Sequence, residues 1–113
     1  MAFTHAYNTE DADAMGSMMH SEFEWFSVSG ADIETVISGR DALVADMREY
    51  FEGDLKVTST LSGWSRNGPY VGVTETAAWT AADGTLQKQS SLAVYEITPE
   101  NLIRRVWYFP VVK

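Results

Sequence analysis

Apolar residues recur at helical spacing in two stretches of this chain and alternate with polar ones from Leu55 onward. Phe3, Ala6 and Tyr7 share one face of a short opening helix that breaks around Asn8-Thr9-Glu10. Asp11 then suits the N-cap of a second helix, whose apolar stripe is Ala12, Met15, Met18 and Met19. Phe23-Glu24-Trp25-Phe26 reads as a strand and Thr35-Val36-Ile37 as a shorter one. Ser38-x-x-Asp41 has the form of a capping box. The helix it opens carries Leu43, Val44, Met47, Tyr50 and Phe51 on one face, and Gly53 stops it.

Four runs of period two follow, at Leu55–Arg66, Tyr70–Ala81, Leu86–Ile97 and Leu102–Val111. Asn67-Gly68 and Asp83-Gly84 predict hairpin turns, because both central positions of such turns need positive φ. Thr98-Pro99-Glu100-Asn101 predicts a proline-initiated turn into the last run. The prediction is an α+β domain with its helices on one face of a long, mostly antiparallel sheet. Long strands twist and coil, so that face becomes concave, and a concave sheet under a helical lid leaves room for a ligand.

With 113 residues and 45% apolar content, the expectation is one domain over 1–113 with a proper core. The absence of cysteine excludes disulfide scaffolds and thiolate chemistry. No leader pattern opens the chain, and the longest apolar run, Val106 to Val112, is too short to cross a bilayer, so the expected location is cytoplasmic. Met1 to Asp54 holds twelve acids and two bases, while Leu55 to Lys113 holds four acids and six bases, giving −10 and +2 for a net −8. A chain this acidic repels phosphate backbones, so nucleic acid is not an expected partner. His5 and His20 stand apart without metal-ligand spacing, and no nucleotide loop or nucleophile elbow occurs.

The order of segments resembles the nuclear transport factor 2-like superfamily, the cone-shaped fold of ketosteroid isomerases and SnoaL-like polyketide cyclases. The resemblance rests on Ala6-Tyr7-Asn8-x-x-Asp11-Ala12-x-Ala14, Ile37-Ser38-Gly39-Arg40-Asp41-Ala42-Leu43, Val94-Tyr95-Glu96-Ile97 and Ile103-Arg104-Arg105-Val106-Trp107-Tyr108-Phe109. Glu10 departs from it, standing where the family often has glycine; a left-handed backbone there would be strained. The resemblance implies a cone-shaped pocket but not one activity, since this fold hosts enzymes and binding modules alike. The apparatus of a ketosteroid isomerase is not carried over: its base falls on Ser27, its tyrosine on Phe3 and its second aspartate near Ala93.

Strand alternation in the same register predicts the lining. Val73, Glu75, Ala77 and Trp79 point inward from one strand, Gln89, Ser91, Ala93 and Tyr95 from the next, and Arg104, Val106 and Tyr108 from the last. Trp25 and Ser27 join them from the first strand, with Met19, Met47 and Phe51 on the helical side. Glu75 reads either as an acid/base raised towards neutrality by desolvation or as a buried carboxylate paired with Arg104 or bonded to Gln89 and Tyr95. Gln89 and Ser91 either orient a ligand or satisfy each other. Tyr95 and Tyr108 either donate to a developing oxyanion or pack across strands. Trp25, Trp79 and Trp64 suit a flat ligand but also suit a core.

The expected function is cofactor-independent binding of a flat, hydrophobic carbonyl or hydroxyl compound. If catalysis occurs, Glu75 and Tyr95 carry an isomerisation, cyclisation or dehydration, with Trp25, Trp79, Gln89, Ser91, Arg104, Tyr108 and Met47 binding the ligand. The alternative is a non-catalytic ligand-binding or dimerisation module of the same fold. Leu92, Val94, Trp107 and Phe109, with Val111, form an apolar outward face that predicts a twofold homodimer.

Overall fold

The computed structural model describes residues 2–53 and 56–110. Its elements are α1 (Ala2–Asn8), α2 (Ala12–Ser17), β1 (Met19–Ser29), β2 (Asp32–Ser38), α3 (Arg40–Glu52), β3 (Val57–Asn67), β4 (Tyr70–Thr80), β5 (Leu86–Ile97) and β6 (Ile103–Phe109). The strands form one sheet in the order β2-β1-β6-β5-β4-β3. Neighbours run antiparallel except β1 and β6, which are parallel. The α+β architecture with a curved, mostly antiparallel sheet is therefore as expected. No described helix is long and apolar enough to cross a membrane.

The α1–α2 corner closes as a helix C-cap in which Asp11 N donates to Ala6 O (2.9 Å) and Glu10 N to Tyr7 O (3.0 Å). That paired pattern needs a left-handed residue, and Glu10 occupies it at φ 57°. Its carboxylate is held by the Lys56 ammonium at 2.7 Å. Asp11 then caps α2 through Ala14 N at 3.0 Å. The stripe assigned to this helix overran it: α2 ends at Ser17, and Met19 already begins β1.

Three local expectations are corrected. The capping box at Ser38 does not form, because Ser38 ends β2 and Gly39, at φ 98°, takes the N-cap without a side-chain bond. The first hairpin turns on Gly68 and Pro69, flanked by the pair Asn67 and Tyr70, so one left-handed residue suffices (Gly68, φ 61°). The second uses a longer loop, with Ala81 N bonded to Thr85 O and Gly84 at φ 86°. There a type I turn followed by a left-handed glycine replaces a two-residue turn. Leu55 and Val111, the outer ends of two expected strands, lie outside the described residues.

The core lies between the concave sheet face and the helices. Met15 and Leu43 from α2 and α3 meet Phe23, Val73, Tyr95 and Val106 from the strands, all buried. Helices α2 and α3 approach closely at Gly16, where an added Cβ would stand 2.4 Å from Val44 Cγ2. A valine on a helix has essentially one χ1 rotamer, so Val44 cannot swing away. Gly16→Ala therefore loses about 1–2 kcal/mol in denaturant unfolding, despite alanine's better helix propensity. Adding Val44→Ala recovers most of the clash energy, a coupling that a double-mutant cycle measures.

Candidate functional site

The helical layer is too short to fill the hollow of the sheet. A cavity of about 310 Å³ remains, lined by Phe3, Thr4 and Tyr7 of α1, Met15 of α2, Leu43, Met47 and Tyr50 of α3, and strand residues opposite. From the strands come Phe23 and Trp25 (β1), Ser59 (β3), Glu75 and Ala77 (β4), and Val106 and Tyr108 (β6). Antiparallel pairing puts Glu75 beside Ser91 and Leu61, and Ala77 beside Gln89 and Ser59, on this same inward face.

Glu75 is the acidic group of the lining. Burial pushes its carboxyl above the ordinary carboxylate range, and the Ser59 hydroxyl beside it offsets part of the rise. Among the described residues it forms no ion pair. Tyr95 lies behind it, 2% exposed, with its phenol pushed up by burial first and then by Glu75 and Tyr108. Tyr7 is raised likewise, by burial and then by the hydrogen bond to Tyr50. Both phenols remain protonated across the physiological range and can act only as hydrogen-bond donors or neutral acceptors.

The other polar groups are largely committed. Ser91 Oγ and Tyr108 OH bond each other at 2.9 Å. Tyr7 OH and Tyr50 OH do the same at 2.9 Å, tying α1 to α3 beside the cavity. Asn8 holds Ser59 by two bonds of 2.8 Å, from Asn8 Nδ2 to the carbonyl and from the Ser59 amide to Asn8 Oδ1. Trp25 is the exception. Its Nε1 is the buried side-chain polar atom among the described residues that lacks a hydrogen-bond partner.

Of the residues expected at the site, the structure gathers Glu75, Trp25, Tyr108 and Met47 around the cavity. Ser91 and Tyr95 are buried directly behind them. Trp79 and Gln89 are not in the lining, because burial falls away along the β4–β5 hairpin towards its turn, where Leu86 is 62% exposed. Arg104 is also absent from it. The sheet register skips this residue: Glu96 pairs with Arg105 and Ile97 with Ile103, while on the other side Glu24 pairs with Arg105 and Met19 with Ile103. A bulge re-aims the side chain it carries, and Arg104 Nη1 reaches the Glu22 carbonyl at 2.6 Å and Glu24 Oε1 at 3.3 Å.

Tyr7, Tyr50 and Ser59 were not expected at the site. The two tyrosines lie in helical apolar stripes that read as core, whereas Ser59 follows from extending the hairpin register one strand to Ala77. A shallower groove between α2 and α3 is lined by Asp13, Arg40, Asp41 and Arg48, which pair among themselves. Among the described residues no three His, Asp or Glu cluster where they could hold a metal ion.

Residues 1–106 match the SnoaL-like domain family. The chain belongs to the SnoaL-like family. Among curated proteins none matches it. Solved structures place this SnoaL-like chain in the nuclear transport factor 2-like and ketosteroid isomerase-like fold. One is an uncharacterised cystatin-fold protein from Novosphingobium aromaticivorans, 20% identical, with a TM-score of 0.75 over 95% of this chain and 91% of that one. Another is an epoxide hydrolase from M. tuberculosis, 17% identical, with a TM-score of 0.77 over 97% and 77%. A third is SalBIII, an epoxide hydrolase/cyclase-like enzyme of pyran ring formation in salinomycin, 26% identical, with a TM-score of 0.73 over 97% and 85%.

The Glu75 environment makes a pH prediction. Folding holds this carboxyl's proton more tightly than the unfolded chain does, so its contribution is complete below the ordinary carboxylate range and is lost as pH rises through the raised value. Glu75→Gln, which carries no titrating proton, therefore gains thermal stability relative to the parent as pH rises above the ordinary carboxylate range, with the gap closing near pH 4. Melting curves taken across this rise in pH read it directly.

Proposed function

We propose that this SnoaL-like protein binds a compact, largely apolar compound in its cone and transfers a proton on it, using Glu75 as acid/base and no cofactor. One observation carries the reading: a half-buried carboxyl, without an ion-pair partner among the described residues, lines a cavity that is otherwise mostly hydrocarbon and aromatic. An engineered cavity of about 150 Å³ holds benzene, so 310 Å³ suits a compound of one or two rings. The Tyr108 hydroxyl in the lining favours a ligand with an acceptor oxygen, a carbonyl or hydroxyl. In an isomerisation, ionised Glu75 takes a proton from the carbon beside a carbonyl. The Tyr108 hydroxyl, accepting from Ser91, donates to the enolate oxygen, and the carboxyl returns the proton at a second carbon. In the reverse sense, the protonated carboxyl gives its proton to a departing hydroxyl, the opening step of a dehydration. Tyr108, fixed by Ser91, borders the ligand, Tyr95 packs in the core outside the lining, and Met47 adapts the helical wall. The 26% identical SalBIII, described as an epoxide hydrolase/cyclase-like enzyme, supports an enzymatic use of this cone.

The mutual satisfaction of Ser91 with Tyr108 and of Tyr7 with Tyr50 favours a second reading, a binding module without turnover. Exchange of the acidic protons of 2-tetralone in D2O, followed by NMR, separates the two. Under the first reading the protein accelerates exchange, and Glu75→Gln cuts the acceleration by about 100-fold or more. Ketone binding without any acceleration selects the module.

The reading includes a twofold homodimer through the outer sheet face. Leu92 pairs with Phe109 and Val94 with Trp107, and Phe26 and Tyr70 pack on Trp107 with ring centroids 5.8 and 6.0 Å away. This apolar surface, with Leu92 49% exposed, favours a covering partner. Sedimentation at micromolar concentration then finds a dimer, and Leu92→Glu, a change at an exposed position, yields a folded monomer. A monomeric parent would remove the dimer from the proposal.

A further inference from the structure

The composition of the cone is one-sided in charge. Glu75 is accompanied in the lining by aromatic rings, aliphatic and methionine side chains and a few hydroxyls, with no lysine, arginine or histidine among the described residues. Four of the described cations are engaged elsewhere. Arg104 is turned to Glu24 by its bulge, Arg105 is bonded to Glu96 at 3.0 Å, Arg48 pairs with Asp13, and Lys56 holds Glu10. A buried carboxylate without a counter-charge is costly, and a bound cation removes that cost. The walls suit such a cation. Trp25 and Tyr108 meet at 88° with centroids 6.4 Å apart, and Tyr7 and Tyr50 stand together near the cavity with centroids 6.1 Å apart. Aromatic rings lining a cavity attract alkylated ammonium groups, which need few hydrogen-bond partners, and the acidic chain draws cations towards it.

We propose that the ligand of the cone carries a tertiary or quaternary ammonium group, seated against Trp25 and the neighbouring tyrosines with the Glu75 carboxylate as its counter-ion. The inference rests on the cone being a small-molecule site and narrows its ligand to organic cations that also carry an acceptor oxygen. It also assigns the protonation state of the complex. Burial favours the protonated carboxyl and an adjacent cation favours the carboxylate, so binding shifts Glu75 towards the form that acts as a base.

Choline and its uncharged carbon isostere 3,3-dimethylbutan-1-ol test the inference by titration calorimetry on the intact protein. Choline binds about tenfold more tightly than the alcohol at pH 8. That advantage falls as pH drops through the Glu75 titration, and phosphate and Tris buffers report proton release on binding choline but not the alcohol. Glu75→Gln abolishes the proton release and removes most of choline's advantage over the alcohol. The proton-release measurement needs no variant and stands if the glutamine protein misfolds. Alcohol binding equal to or tighter than choline, choline binding without proton release, or no choline binding overturns the inference. If the alcohol binds and choline does not, the small-molecule reading survives alone. Choline binding without 2-tetralone exchange instead upholds the cation site and removes the proton-transfer role.

Discussion

Everything distinctive about this molecule follows from a mismatch between a long, curved sheet and a short helical layer. Strands β3, β4 and β5 run for eleven or twelve residues each, whereas α1 and α2 span only seven and six. The concave face must leave water, and Met15, Phe23, Leu43, Val73 and Tyr95 achieve this at one end of the cone. The lid side chains Phe3, Tyr7, Met15, Leu43, Met47 and Tyr50 border the remaining volume without filling it, so it persists as a cavity. Filling it would require longer helices or larger residues at positions such as Ala77 and Ser59.

That hollow determines the chemistry of whatever projects into it. A carboxyl on an exposed strand would be an unremarkable acid, but at Glu75 desolvation favours the protonated form, and only Ser59 opposes it. The polar groups around it are mostly paired with one another, which keeps the walls rigid. Among the described residues, Trp25 Nε1 is the buried side-chain polar atom left without a partner. Pairings far apart in sequence, Tyr7 with Tyr50 and Asn8 with Ser59, hold the helical lid over the site.

The fold was legible because its signals are local and agree with one another. Period-two runs, turn glycines and the Asp11 cap each specify a segment without reference to the rest, and alternation then puts Glu75, Ser91, Val106 and Tyr108 on one face. Local rules failed where two elements compete for a residue. Ser38 has the chemistry of a cap but is the last residue of β2, and Asn67 has the chemistry of a turn centre but pairs with Tyr70. At Glu10 the rule and the structure collide, and a non-glycine residue accepts a left-handed backbone because the corner between α1 and α2 demands it.

The sequence by itself therefore determined the elements, their faces and the presence of one acidic residue on an inward strand, since each depends on neighbours a few positions away. Only tertiary structure decided that Arg104 turns from the cone to Glu24, because a bulge is a property of paired strands and shifts alternation by one residue. It likewise decided that a cavity remains and that Glu75 faces it without a cation, because empty volume and unpaired charge are sums over every element around them.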